Sequence, residues 1–255
     1  MSPVAAAGRL HIWQNGMLWV GAVGGPTDVH AHRAIQVALA LEGTLRFSAA
    51  GAGDWLDCGG AVLTADCEHA VDGRQAPRIA VLFLEPESKV GRAVTRRYAG
   101  PNGIGVIPET LHRVAVGLIA PHARRGAEQA PLVAAAQEVL ASLAGAAVAP
   151  SPTDPRVLRA TALLRGNLDA PVSLERVAAA VHLSPDRLRH LFADQLGVGF
   201  RPYVLWLRLN RALEMYAAGE SLTTAAHAAG FADSAHLSRT FRRMFGLPPG
   251  MVRLE

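Results

Sequence analysis

The chain has 255 residues, half of them apolar, with 25 basic against 21 acidic side chains and only two cysteines. That composition excludes a disordered chain and a disulfide framework, and no run reaches the ~18 consecutive apolar residues of a membrane span. From Asp154 onward 13 arginines face nine acids, while 12 basic residues face 12 acids before it, so the whole +4 excess falls in the C-terminal part. Such a location suits a polyanionic partner. The opening stretch MSPVAAAGRLHIWQNG has neither a basic start nor a compact apolar segment, so a cytoplasmic protein with reduced thiols is expected.

The first hundred residues read as short strands. HIWQNGMLWVG places Asn15-Gly16 between two strand-like runs, a hairpin signal. AIQVALALEGTLRFS, GAVLTAD and RIAVLFLEP add strand candidates separated by glycine-rich breaks, which suggests a small sandwich or barrel. Within them, Gly24-x5-His30-x-His32-x3-Gln36-x6-Gly43 resembles the first motif of the cupin barrel family, with Gln36 where metal-binding cupins usually carry Glu. His69 resembles the single histidine of the second cupin motif, although the preceding Pro and Gly are absent.

Strand residues two apart share a face, so His30, His32 and Gln36 are expected to project together, with His69 and Cys67 on a facing strand. Three neutral imidazoles suit zinc, iron, nickel or copper, and a thiolate favours zinc. Against this, Ile35, Val37, Leu39 and Leu41 occupy the opposite face. Simple alternation would make that face the core and leave the histidines in solvent. Three readings stay open: a metal site, an organic-ligand pocket without metal, and a structural or exposed role. Cys58 reads as a small apolar filler, and His11, His112 and His122 have no evident partner.

PETLHRVAVGLIA and APLVAAAQEVLASLAGA read as two helices between barrel and linker. Leu132, Ala136, Val139 and Leu143 form an apolar stripe that either covers the barrel or makes a homodimer interface. GAAVAPSPTDP carries three prolines within six residues and reads as a linker.

Beyond the linker the chain repeats itself. SLERVAAAVHLSPDRLRHLFADQLG and SLTTAAHAAGFADSAHLSRTFRRMFG start 48 residues apart, at Ser173 and Ser221, and end at Gly197 and Gly246. Each has a serine cap, a short alanine-rich helix, a turn and a longer helix with Leu-x-x-x-Phe: Leu188 with Phe192, and Leu237 with Phe241. Ala178, Ala179 and Ala180 in one copy, and Ala225, Ala226 and Ala228 in the other, permit close helix approach. Turns are expected at His182-Leu183 and at Gly230-Phe231, where Gly230 supplies a positive φ. Ser184 and Asp233 are the cap candidates for the second helices, with Pro185 at a first helical position. Between the copies, FRPYVLWLRLNRALEMYAAG reads as one helix from about Phe200 to Ala218. Its ~28 Å compares with the ~34 Å repeat of major-groove faces along DNA.

The segment AAHAAGFADSAHLSRTFRRMFGLPPGMVR resembles the signature of the AraC/XylS family of bacterial transcription regulators through Ala225-Ala226, Gly230-Phe231, Leu237, Arg239, Phe241, Phe245-Gly246 and Pro248-Pro249. The resemblance covers residues 154–253, and cupin-type sensing domains are common in that family. It implies that the second helix of each unit reads bases: Asp186, Arg187, Arg189 and His190 in one, and Ser234, Ala235, His236, Ser238 and Arg239 in the other, with Arg243 on phosphate. Asp186 is unusual against anionic DNA and is expected to cap its helix instead. Leu237, Phe241 and Phe245 are expected as the buried stripe.

The expected architecture is a two-domain α+β protein: a cupin-like barrel over residues 1–100, a helical connector over 101–149, and an AraC-type DNA-binding domain over 150–255. Its helix-turn-helix units are expected at about 173–197 and 221–246. The expected function is a sequence-specific regulator responding to a small molecule or metal ion, zinc or similar, held by His30, His32, Gln36, Cys67 and His69. Expected partners are an operator duplex, RNA polymerase and a second copy, with no membrane. The competing class is a metal-dependent cupin enzyme with a helical appendage. The missing Glu at Gln36 and the duplicated pattern oppose it, and neither a nucleophile triad nor a GxxxxGK[ST] loop occurs.

Overall fold

The computed structural model describes residues 6–13, 16–32, 34–49, 54–86, 88–124, 128–145, 154–168, 172–196, 199–245, 249 and 252–254. Two compact units result, one built from residues 1–86, 90–148 and 241–255, the other from 87–89 and 149–240. Asn15, most of the 145–155 linker, and Gly197, Gly246 and Pro248, all named in the sequence reading, lie outside the described residues, as does the side chain of Phe245.

In the first unit, β1 (Ala6–Trp13) and β2 (Gly16–Val23) pair antiparallel, with Trp13 opposite Gly16. They continue into β3 (Ile35–Glu42), β4 (Leu45–Ala49), β5 (Leu56–Cys58), β6 (Gly60–Leu63), β7 (His69–Asp72) and β8 (Arg78–Leu84). With β9 (Ile104–Val106) and β10 (Val252–Leu254), seven strands form one sheet in the order β10-β1-β2-β8-β3-β6-β9, and β5-β4-β7 form a second. Only β1 with β10 is parallel among the described pairings.

The unit is layered. Trp19, Ala38, Leu63 and Val81 of the large sheet pack on Leu45, Phe47 and Val71 of the small one. The large sheet's other face, through Leu18, Val37, Leu39 and Leu82, is covered by α1 (Lys89–Tyr98), α2 (Glu109–Ile119) and α3 (Gln129–Ala144). Thus β3 is buried on both faces, and all its residues except Glu42 are inside. The alternative in which simple alternation leaves one face of this strand in solvent fails for that reason. The α3 stripe of Leu132, Ala136, Val139 and Leu143 is consumed by this covering role and is not a surface for a second copy. Helix α1 was not anticipated, although Val90, Ala93-Val94 and Tyr98 carry its helical spacing.

The second unit begins with α4 (Pro155–Gly166), capped by Asp154, whose side chain accepts from the Arg156 N–H. Then come α5 (Leu174–Ala180), α6 (Pro185–Leu191) extended by a π-type turn at Phe192–Leu196, and α7 (Phe200–Ala217). Helix α8 (Leu222–Ala228) and α9 (Ser234–Phe245) follow, α9 running on into the residues grouped with the first unit. Leu188, Leu191, Phe192 and Leu196 pack with Phe200, Tyr203 and Leu207 of α7, so α7 is the beam against which the α5–α6 pair is set. The 18 residues of α7 give it a length of about 27 Å.

Candidate nucleic-acid interface and candidate metal centre

The two sequence copies fold into the same backbone figure. Ser173 and Ser221 cap α5 and α8 by accepting from the N–H groups of Arg176 and Thr224. At the end of α5, His182 N–H donates to Ala179 O (3.1 Å) and Leu183 N–H to Ala178 O (2.9 Å); at the end of α8, Gly230 N–H donates to His227 O (3.0 Å) and Phe231 N–H to Ala226 O (2.9 Å). These paired bonds are a Schellman stop, and they need a left-handed residue at the pivot. Gly230 supplies it at φ 76°, and in the other copy His182 adopts φ 55° without the freedom of glycine. Of the alanines expected between the helices, Ala178, Ala225 and Ala226 are fully buried, Ala228 is half-buried, and Ala179 and Ala180 are exposed.

The second helix of each pair is oriented by its apolar stripe. Leu188 and Leu191 of α6, and Leu237, Phe241 and Met244 of α9, are buried. That leaves Asp186, Arg187, Arg189 and His190 exposed on α6, and Ala235, His236, Arg239, Arg242 and Arg243 exposed on α9, with Ser234 and Ser238 half-buried. Ser184 caps α6 through Arg187 N–H, and Asp233 accepts from His236 N–H at 2.5 Å. That bond holds the Asp233 carboxyl below its ordinary range. Asp186 does not cap, contrary to the sequence reading; the cap position is taken by Ser184, and the Asp186 carboxylate instead pairs with the Arg189 guanidinium. His236 lies edge-on to Phe231, with ring centroids 5.2 Å apart, so the turn itself orients it.

His30, His32 and His69 come together in the first unit, each offering one ligand atom within 4.8 Å of the others. The route is not the shared strand face expected from spacing, because β3 starts only at Ile35. An isolated antiparallel bridge does it: His30 N–H donates to His69 O (2.9 Å) and His69 N–H to His30 O (2.8 Å). His32 and His69 are buried, and His30 is half-exposed.

Every ring is oriented by the same device. Nδ1 lies 2.8 Å from Asp28 O in His30, 2.8 Å from Ala34 O in His32 and 2.9 Å from Cys67 O in His69. A carbonyl oxygen only accepts, so each Nδ1 carries a proton, and Nε2 is the ring nitrogen left to offer a lone pair. The His69 Nε2 is buried with no hydrogen-bond partner among the described residues. The His32 Nε2 lies 2.9 Å from Gln36 Oε1; with Nδ1–H donating to Ala34 O, turning that amide over brings its NH2 onto the Nε2 lone pair. Burial, with His32 and His30 alongside, pushes His69 down to about 3, and burial lowers His32 as well. Both rings are therefore neutral at pH 7, the state a metal ligand needs.

Cys67 is not brought into this cluster. Its Sγ is 3.7 Å from the Nδ1 edge of His69, the edge turned away from the Nε2 lone pair, and burial raises its thiol. His112 has the partner the sequence did not show, donating from Nε2 to Ala40 O at 2.9 Å. It fastens α2 to β3.

A family model described as a helix-turn-helix domain matches residues 177–255. Over 96 residues, 37% of this chain, it is 33% identical to the HTH-type transcriptional regulator GbdR of Pseudomonas aeruginosa, covering 26% of that protein. Over 189 residues, 73% of this chain, it is 25% identical to the HTH-type transcriptional regulator GlxA of Rhizobium meliloti, covering 58% of it. The chain thus spans about a quarter of one relative and rather more than half of the other. Among solved structures, an apo form of a ToxT variant from Vibrio cholerae strain SCE256 aligns over 95% of this chain and 97% of its own, with a TM-score of 0.51 and 11% identity. That likeness is one of fold: a mostly-sheet part followed by a helical part.

Proposed function

We propose, from the match of residues 177–255 to a helix-turn-helix domain and the likeness to HTH-type regulators, that the protein is a sequence-specific transcriptional regulator of the AraC type. The pairs α5–α6 and α8–α9 are its two DNA-binding units, and the sheet unit is a cupin-like sensor. The carrying observation is the repeated Schellman turn, which in both copies leaves a polar, arginine-bearing helix face outside its own core. Arg239 is the guanine-reading candidate of α9, because an arginine can grip O6 and N7 together. Arg189 is the corresponding candidate of α6 once it exchanges Asp186 for a base. Arg187, Arg242 and Arg243 fit phosphate, while Ser234, Ser238, His190 and His236 fit either. The matched relatives are named as regulators, which favours this reading over a cupin enzyme. No described helix is long and apolar enough to cross a membrane, and a protein acting on the chromosome of a bacterium works in the cytoplasm. Enrichment from random duplex DNA at fixed salt tests the reading. A regulator enriches one motif, and uniform recovery of all sequences contradicts it.

The sensor reading rests on the three histidines. Their donor set suits zinc, nickel, copper or iron, with His30, His32 and His69 as ligands. When bound, such an ion would tie His30 and His32 to His69 of β7 and supply a Lewis-acidic position. It acts as an effector only through unequal affinity for two states of the protein, and at a hundredfold excess over Kd it adds about 2.7 kcal/mol to the state it prefers. Elemental analysis of untagged protein purified without chelators, beside a His30→Ala/His32→Ala variant, decides this. Metal lost in the variant supports the site, and protein that stays metal-free after reconstitution contradicts it. A dimer and a contact with RNA polymerase belong to the same proposal, the dimer through a surface other than the α3 stripe.

A further inference from the structure

The donor set at the histidine cluster is uncharged. Among the described residues no carboxylate or thiolate joins the three rings. The acids closest along the chain, Asp28, Asp66 and Glu68, are not buried with them. Two of the rings are nonetheless buried almost completely, His69 at 0% and His32 at 2% exposure. Burying an ion costs in proportion to the square of its charge, so a divalent ion held there by neutral imidazoles alone keeps a large uncompensated charge. Four-coordinate sites complete themselves with a further donor. The side-chain oxygen beside the rings, Gln36 Oε1, is uncharged, so the missing negative charge is left to a donor from outside.

Resting on the three-histidine reading, we infer that the site takes a divalent transition metal together with a small anionic oxygen donor, a carboxylate or an inorganic oxyanion, as one composite effector. Gln36 is the residue that keeps the place for that anion. Buried at 7% exposure and uncharged, Gln36 places its amide oxygen 2.9 Å from the His32 Nε2, the atom a metal needs. A metal at His32 Nε2 would displace that contact, and the amide, turned over, would offer its NH2 to an anion beside the metal. A glutamate at position 36 would do the reverse, supplying the negative charge internally and repelling a second one. His30, the half-exposed member of the cluster, marks the side from which a small anion enters.

Cobalt(II) titration of the full chain in perchlorate, with and without acetate or bicarbonate, tests this by visible absorption and apparent affinity. The native protein is expected to bind cobalt about tenfold more tightly with the anion present, a typical size for coupled sites, and to change its absorption band. Response to acetate alone identifies a carboxylate effector; response to bicarbonate as well identifies the general oxyanion class. Gln36→Glu is expected to bind cobalt tightly without added anion and to lose the anion response. Gln36→Ala, which introduces no charge, is expected to keep an anion response at weaker affinity. Anion-independent binding by native protein, or an unaltered anion response in Gln36→Glu, overturns the inference while leaving the metal site standing. Absence of cobalt binding in folded native protein and folded Gln36→Glu overturns the metal site itself.

Discussion

Arg239 stands exposed on α9, one residue past half-buried Ser238. Its replacement by Ala is expected to weaken specific DNA binding by about 1–3 kcal/mol, the worth of a bidentate guanine contact, with little change in non-specific binding. Competition gel shifts at one salt concentration measure both; an equal loss in each makes Arg239 a phosphate contact. Gly230 is constrained more severely. A Cβ there would meet the Leu168 carbonyl oxygen at 2.3 Å, at a φ of 76° that L side chains rarely adopt. Gly230→Ala is therefore expected to destabilise the helical unit by at least about 1–2 kcal/mol, the cost of left-handed backbone alone, whereas His182→Gly relieves a similar strain. Chemical denaturation of both variants gives the comparison. His69 governs a pH dependence. Its ring stays neutral in the fold down to about 3 and takes a proton near its ordinary 6.5 when unfolded. Between those values the unfolded chain binds the extra proton, so stability is complete above 6.5 and falls as pH drops toward 3. Urea unfolding of metal-free protein at about pH 7.5 and about pH 5 should show this loss, and a smaller one in His69→Asn.

Among the elements, α3 offers the sharpest test. Leu143 is 1% exposed in the core it shares with the large sheet, so Leu143→Ala is expected to cost about 2–5 kcal/mol in thermal stability. Mass in solution should not change; a shift from dimer to monomer would return the stripe to the interface role. Much at this scale was legible in the sequence because its causes are local. Ser173, Ser184, Ser221 and Asp233 cap where their spacing before an apolar stripe places them, and α7 runs where the stretch between the repeats predicts it. The histidines were legible as a group but not in their route. Period-two reasoning put His30 and His32 on a strand, whereas a bridge from His30 to His69, far along the chain, assembles them. Such a pairing leaves no periodic trace. Cys67 misled for a related reason: sharing a parity with His69 says nothing of which ring edge its sulfur meets. Asp186 was misjudged because two oxygen-bearing residues, Ser184 and Asp186, compete for one helix start, and Ser184 occupies it.

For the whole molecule, the claim is that one chain lays two reading helices along one duplex. The backbone repeat, the charge excess after Asp154 and the exposed faces of α6 and α9 all support it. A hydroxyl-radical and methylation footprint of the purified chain on its enriched site tests this most directly. Two protected major-groove segments on the same face, centred about ten base pairs apart, are predicted, with Arg189→Ala and Arg239→Ala each clearing a different one. A single protected segment, or two on opposite faces of the duplex, would contradict it.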